Sequence, residues 1–150
     1  MDLILWRHAE AQDSSPDMSR ELSLKGKKQA EKIAAFLHQH LPPDARVLVS
    51  PATRTRQTVA AYTDLYTLVP SIAPGTSAHA VLQAARWPND DGTVLVVGHQ
   101  PTLGAVAAQL LGSAEPSLSI KKGSLWWFTR RSRDDFAQTT LRLVITPDFL

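Results

Sequence analysis

Thr93-Val94-Leu95-Val96-Val97 carries no charged or amide side chain to turn toward water on either side. A run of that kind is a strand buried on both faces, and such strands belong to parallel sheets covered by helices on both sides. The rest of the chain supports this reading, because apolar runs of strand length alternate with segments of helical period. Residues 2–7 form a short apolar strand ending in Arg7-His8. A polar loop with Asp13, Ser14, Ser15 and Pro16 follows. Ser23 then suits a helix N-cap, and Ala30, Ile33, Ala34, Leu37 and Leu41 recur at helical spacing, predicting an amphipathic helix over 24–40 that Pro42 and Pro43 end.

Arg46 to Ser50 reads as the second strand. Pro51 suits a helix start, which predicts a helix from there to about Tyr66. Leu68 to Ile72 predicts a short third strand, Pro74-Gly75 a turn, and Ala78, Val81, Leu82 and Ala85 a third helix. After the loop Asn89 to Gly92 comes the buried run, then a fourth helix through Leu103, Val106, Ala107, Leu110 and Leu111, capped by Gly112. Residues 124–131 and 136–146 read as an antiparallel hairpin at one sheet edge, its tip at Ser132 to Asp135. Trp126 and Trp127, adjacent in a strand, should face opposite ways. The expectation is one α/β domain over 1–150: three layers, α/β/α, with a mainly parallel sheet and an antiparallel edge hairpin.

Three strand ends carry unusual polar groups: Arg7-His8, Ser50 with Arg54 one turn into the next helix, and Gly98-His99. Ligands of open parallel sheets bind beyond the carboxyl ends of the strands, so Arg7, His8, Arg54 and His99 should share one edge. Four such side chains repel one another unless an anion lies among them. Phosphate fits, since arginine donates paired N–H bonds to its oxygens. A histidine can take a phosphoryl group covalently, while the arginines neutralise its charge. The N-termini of the second and fourth helices open at the same edge and could add N–H groups.

Other function classes are weakly supported. A net charge of +2 is too small for nucleic-acid binding, and Lys25, Lys27, Lys28 and Lys32, like Arg130, Arg131 and Arg133, read as solvated surface. The absence of cysteine removes disulfides, a thiolate nucleophile and Cys-based metal sites. No carboxylate cluster implies a metal, and no cofactor is implied. No apolar stretch spans a bilayer and no signal peptide is evident, so a cytoplasmic protein without membrane contact is expected. His38 and His40 suit a helix C-terminus, and His79, in the first turn of the third helix, reads as solvent-facing or as a flank of the pocket.

Four motifs in order carry a family resemblance. Leu5-Trp6-Arg7-His8-Ala9-Glu10-Ala11 resembles the Arg-His-Gly signature of the histidine phosphatase superfamily, the phosphoglycerate-mutase-like enzymes. Leu22 to Ala30 resembles the opening of that family's first helix. Ser50-Pro51-Ala52-Thr53-Arg54-Thr55-Arg56-Gln57-Thr58 is similar to its Ser-Pro-x-x-Arg-x-x-Gln-Thr element, and Val96 to Pro101 to its second-histidine motif. The small size and the Arg-His-Ala-Glu-Ala variant are most similar to the SixA-type phosphohistidine phosphatases. The resemblance implies that His8 is phosphorylated and that Arg7, Arg54 and His99 form the phosphate pocket. Arg56 lies near, but spacing from Ser50-Pro51 favours Arg54. Ala9 replaces a glycine, which implies a small backbone adjustment.

The family's usual proton-donating carboxylate would fall around the third helix, yet no Asp or Glu occurs between Asp64 and Asp90. His79 is the one substitute acid there. Short connections imply an open pocket that admits a side chain on a protein surface. The expected activity is hydrolysis of phosphohistidine on a protein, such as a histidine phosphotransfer domain. The alternatives are a small-molecule phosphomonoesterase and, from another class, a phosphoprotein-binding module without turnover, against which the intact His8 argues.

Overall fold

The computed structural model describes all of residues 1–150. Strands β1 (Asp2–Arg7), β2 (Arg46–Val49), β3 (Thr67–Leu68), β4 (Thr93–Gly98), β5 (Leu125–Arg133) and β6 (Phe136–Ile145) form one sheet in the order β3-β2-β4-β1-β5-β6. The first four are parallel, and β5 and β6 run antiparallel at the edge. Helices α1 (Leu24–His40), α2 (Thr53–Ala60), α3 (Ala78–Ala85) and α4 (Thr102–Leu110) cover the sheet. The fold is the expected phosphoglycerate-mutase-like α/β/α arrangement.

Alternation along the strands divides the core in two. Leu3, Leu5, Leu48, Val94 and Val96 pack with α3 and α4 residues such as Val81, Leu82, Leu103 and Val106. Ile4, Trp6, Val47, Val49, Leu95 and Val97 face the other way, onto Ala30, Ile33 and Leu37 of α1 and Val59 of α2. The run at Thr93–Gly98 lies between β1 and β2, buried on both faces as its composition requires. Trp126 and Trp127 take opposite sides: Trp127 lies buried with Ile4 and Trp6, while Trp126 packs half-buried on the other layer.

Helix α1 has the expected limits. The Ser23 hydroxyl accepts from the Gly26 N–H, and Leu41, ahead of two prolines, is turned to extended backbone. Three expectations shift. At the hairpin tip Ser132 and Arg133 extend β5 and pair with Ala137 and Phe136, so the turn is Asp134-Asp135 alone rather than Ser132 to Asp135. The second helix is Thr53–Ala60 rather than running from Pro51 to Tyr66. The Thr55 hydroxyl donates to the carbonyls of Ser50 and Ala52, which keeps Ser50 to Ala52 as a bend ahead of the helix. Past Ala60 the N–H of Tyr62 returns to Val59, and the chain leaves the helix in time for Thr67–Leu68 to pair with Leu48 and Val49. The third strand is correspondingly Thr67–Leu68, not Leu68–Ile72, because Pro70 has no N–H for a ladder and opens a 3-10 turn over Pro70–Ile72.

Candidate active site

Strand register builds the site. Arg7 pairs with Gly98 across β1 and β4, and the His8 N–H donates to the Gly98 carbonyl at 3.1 Å. The two histidines therefore leave neighbouring strand ends together, with ring centroids 5.3 Å apart. On the other side of β4, the Ser50 N–H donates to the Val97 carbonyl, and Ser50 Oγ lies 2.7 Å from His99 Nε2. Arg54 enters from the first turn of α2. His8, Arg54 and His99 are 8%, 5% and 3% exposed, so all three point inward at the sheet edge. Arg7 is half-buried, with one Nη donating to the Ile120 carbonyl at 2.8 Å.

Several donors remain unspent. Arg7 Nε, Arg54 Nε and His99 Nδ1 are buried and have no hydrogen-bond partner. Orphaned buried polar atoms cost about 1–3 kcal/mol each, so three at one strand edge mark a site built for a polar guest. Arginine nitrogens only donate, and the guest is therefore an acceptor-rich anion.

The two imidazoles are electrically silent at neutral pH. Burial, followed by the nearby guanidinium groups of Arg54 and Arg7, pushes His8 down to about 4. Burial, then repulsion from His8 and Arg54, pushes His99 down to about 3. His8 Nδ1 lies 2.7 Å from the Ala9 carbonyl oxygen. A carbonyl can only accept, so the ring proton sits on Nδ1 and the Nε2 lone pair is free. Ala9 itself is fully buried among the α1 and α2 side chains, and its N–H donates to Thr58 Oγ1. The extra methyl is thus absorbed into the core.

The loop after His8 differs most from its reading as a plain polar connection. It folds back so that Arg54 donates to the Asp17 carbonyl at 2.8 Å and to the Asp17 carboxylate at 3.2 Å. Asp17 is thus a carboxylate on a candidate phosphate-binding arginine, although none was expected near the pocket. Arg54 lowers the Asp17 pKa, against a burial effect that would raise it. Its only sequence signal is a polar loop with Arg20 three residues on, a pair that also closes in space at 3.3 Å. Arg56, the alternative to Arg54, is exposed on α2. His79 is exposed on α3 and makes no hydrogen bond to a site residue. The α4 N-terminus contributes less than expected, since the Gly104 N–H is already taken by the Gln100 side chain at 2.6 Å.

The remaining motif residues hold the frame. The Gln29 amide oxygen accepts from the Glu10 N–H, Ser23 Oγ donates to the Glu10 carboxylate, and Gln57 accepts from the Leu22 N–H. At Gly26 any Cβ would fall 2.0 Å from the Glu10 carbonyl oxygen, so this close approach of α1 to the loop requires glycine. No group of three His, Asp or Glu side chains is placed to hold a metal ion.

Comparison with known proteins agrees with this geometry. The model of the histidine phosphatase superfamily (branch 1) matches residues 3–75. The phosphohistidine phosphatase SixA homolog of Haemophilus influenzae is 31% identical over 132 residues, covering 77% of this chain and 80% of that one. The SixA structure from Nakamurella multipartitia is 30% identical and superposes with a TM-score of 0.78 over 97% of this chain and 95% of its own. The protein histidine phosphatase SixA complexed with tungstate, 23% identical, shares the fold at a TM-score of 0.81 over 99% of both chains. With two histidines at adjoining strand ends, the inward-facing Arg54 beside them and relatives of this closeness, the chain belongs to the histidine phosphatase superfamily and is a phosphatase of the SixA type.

Proposed function

We propose that this phosphatase removes the phosphoryl group from phosphohistidine on a protein, through a covalent phospho-His8 intermediate. The observation that carries the proposal is the state of His8: neutral at pH 7, its Nδ1 proton held by the Ala9 carbonyl, and its Nε2 free. Nε2 attacks phosphorus while the P–N bond to the substrate imidazole breaks. Arg7, Arg54 and His99 hold the phosphoryl oxygens, whose charge those orphaned nitrogens are free to meet. The Ser50 hydroxyl accepts weakly from the Ala52 N–H at 3.4 Å and gives its own proton to His99 Nε2, leaving His99 Nδ1 to donate to the phosphoryl group. Water then attacks phospho-His8, releasing inorganic phosphate and the free imidazole.

Leaving-group chemistry favours phosphohistidine. A serine alkoxide needs a proton to leave, since hydroxyl oxygens of the water type have a pKa of about 15.7. An imidazole departs neutral once its ring is protonated, its conjugate acid having a pKa of about 6.5. The interval from Leu65 to Asn89 has no carboxylate, and Asp17, whose pKa is lowered, stays ionised and is a poor acid at neutral pH. The name of the Haemophilus relative supports the same substrate class.

The test is rapid-quench reaction of a phosphohistidine peptide with wild type and His8→Ala. Wild type should accumulate an acid-labile, alkali-stable phosphoenzyme that His8→Ala lacks, together with its turnover. An acid-stable adduct, or substantial hydrolysis by the variant, overturns the mechanism. Equal kcat/KM for phosphoserine and phosphohistidine peptides would overturn the substrate and favour an ordinary phosphomonoester.

A further inference from the structure

Beside Arg7 the surface opens into a groove of about 910 Å3. Lys25, Lys28 and Lys32 of α1 form one wall, and Lys121 and Lys122, from the loop ahead of β5, form the other. The reading of the α1 lysines as a plain solvated face is therefore incomplete. Five of the chain's six lysines line this one groove, and all five are exposed. Asp148 is the only carboxylate among the lining residues, where it offsets little of the positive charge. Every close side-chain ion pair in the molecule is made by an arginine; among these lysines only Lys32 feels a carboxylate, Asp148, whose pKa it helps to lower from beyond contact distance. With one carboxylate against five lysines, most of the counter-charge for this self-repelling cluster lies outside the molecule.

The groove is tied to the site. The Gly123 N–H, next to Lys122, donates to the His8 carbonyl, and the Gly123 carbonyl accepts from Trp6 Nε1 at 3.1 Å. Gly123 has φ +73, and its Cα is packed so closely that a Cβ would meet Pro147 and Gln29 at 3.0 and 3.3 Å. The lysine walls are thus fixed relative to the nucleophile, and Arg7 belongs to both surfaces.

From this we propose that the lysine groove docks an acidic segment of the protein that carries the phosphoryl group. The inference rests on the reading of the site as a protein phosphohistidine phosphatase and names what its substrate presents. Four points favour an acidic protein segment over a small polyanion. Lysine ammonium groups are mobile point charges rather than a preformed fork for phosphate. All five are exposed, so no desolvated cradle exists. Phe149, 82% exposed, adds an apolar ring at the rim that a protein segment can cover and an inorganic polyanion cannot. Lys25, Lys28 and Lys32 are spaced i, i+3, i+7 on one face of α1, a stripe that suits carboxylates at helical spacing.

Two phosphohistidine peptides test this, identical except that one flanks the phosphohistidine with four glutamates and the other with four glutamines. At low ionic strength wild type should prefer the glutamate peptide by about tenfold or more in kcat/KM, and salt should erase the preference. In Lys28→Glu/Lys32→Glu/Lys121→Glu the preference should vanish or invert, while turnover of an aryl phosphate stays unchanged. No preference in wild type, or one that survives charge reversal, overturns the inference. Binding of the unphosphorylated glutamate peptide, read by fluorescence anisotropy, decides the groove without any turnover. If neither peptide is hydrolysed, the reading of the site fails on its own, and salt-sensitive anisotropy lost in the triple variant still supports the groove. Absence of that binding, or tighter binding of inorganic tripolyphosphate or an oligonucleotide, overturns it.

Discussion

Acidification from pH 7 to pH 5 should destabilise this protein far more than its carboxylates can explain. His8 and His99 titrate at about 4 and about 3 in the folded protein, against 6.5 in an unfolded chain. Between those values the unfolded chain binds protons that the folded one refuses. Stability is therefore fully present above pH 6.5 and is lost as pH falls toward 4. At pH 5 the unfolded His8 is almost wholly protonated and the folded His8 about one-tenth so, a loss of about 1.8 kcal/mol relative to pH 7. His99 contributes a similar amount, and together they remove about 3.5 kcal/mol, a large part of the 5–15 kcal/mol typical of a domain. The lowered carboxylates Asp2, Asp17, Asp90 and Asp148 start from the ordinary aspartate value of 3.8, so their losses fall below this window. Urea unfolding followed by the fluorescence of the four tryptophans measures the difference. His8→Gln should keep about half of the wild-type loss, the half due to His99. A wild-type loss under about 1 kcal/mol, or one that His8→Gln leaves unaltered, refutes the reasoning.

Three substitutions probe other contacts. Arg54→Ala should raise the vanadate inhibition constant by about 10- to 150-fold, the equivalent of about 1.5–3 kcal/mol for a charged hydrogen bond, and an unchanged constant would move the role to Arg56. Asp17→Asn removes a charge beside the anion while the Asp17 carbonyl still holds Arg54, so phosphate should bind about 2- to 5-fold tighter; weaker binding would show instead that the carboxylate positions the guanidinium. Gly26→Ala forces a methyl against the Glu10 carbonyl and should cost about 1–3 kcal/mol, lowering Tm by about 2–12 °C; an unshifted melting curve would contradict that close approach.

Most of the architecture was legible because the strands have unambiguous periods. The Thr93 to Val97 run, the α1 pattern and the terminal hairpin declare buried strand, amphipathic helix and antiparallel edge from local composition alone. The limits of α2 and β3 were not legible. They depend on side-chain bonds from Thr55 to Ser50 and Ala52, and on where the chain must return to β2, neither of which periodicity records. The convergence of Arg7, His8, Arg54 and His99 was readable because parallel strands bring their carboxyl ends to one edge. Asp17 was not, because a loop's return path is set by tertiary contacts. The lysine groove was half visible: the α1 stripe is contiguous in sequence, while Lys121 and Lys122 come from nearly a hundred residues away.

The central place of β1 has a consequence for synthesis. Its neighbours are β4 and β5, residues 93–98 and 125–133, so Leu3-Ile4-Leu5-Trp6 has no partner until most of the chain has been made. At about 5–20 residues per second, this apolar strand waits roughly 5 to 18 seconds for β4 and roughly 6 to 25 seconds for β5. Because Arg7 and His8 lie at the end of that strand, His8 is not set beside His99 until β4 has been made. Assembly of the candidate site and burial of β1 arrive as one late event, and a variant that slows β4 or β5 would appear first as aggregated nascent chain rather than as a slower enzyme.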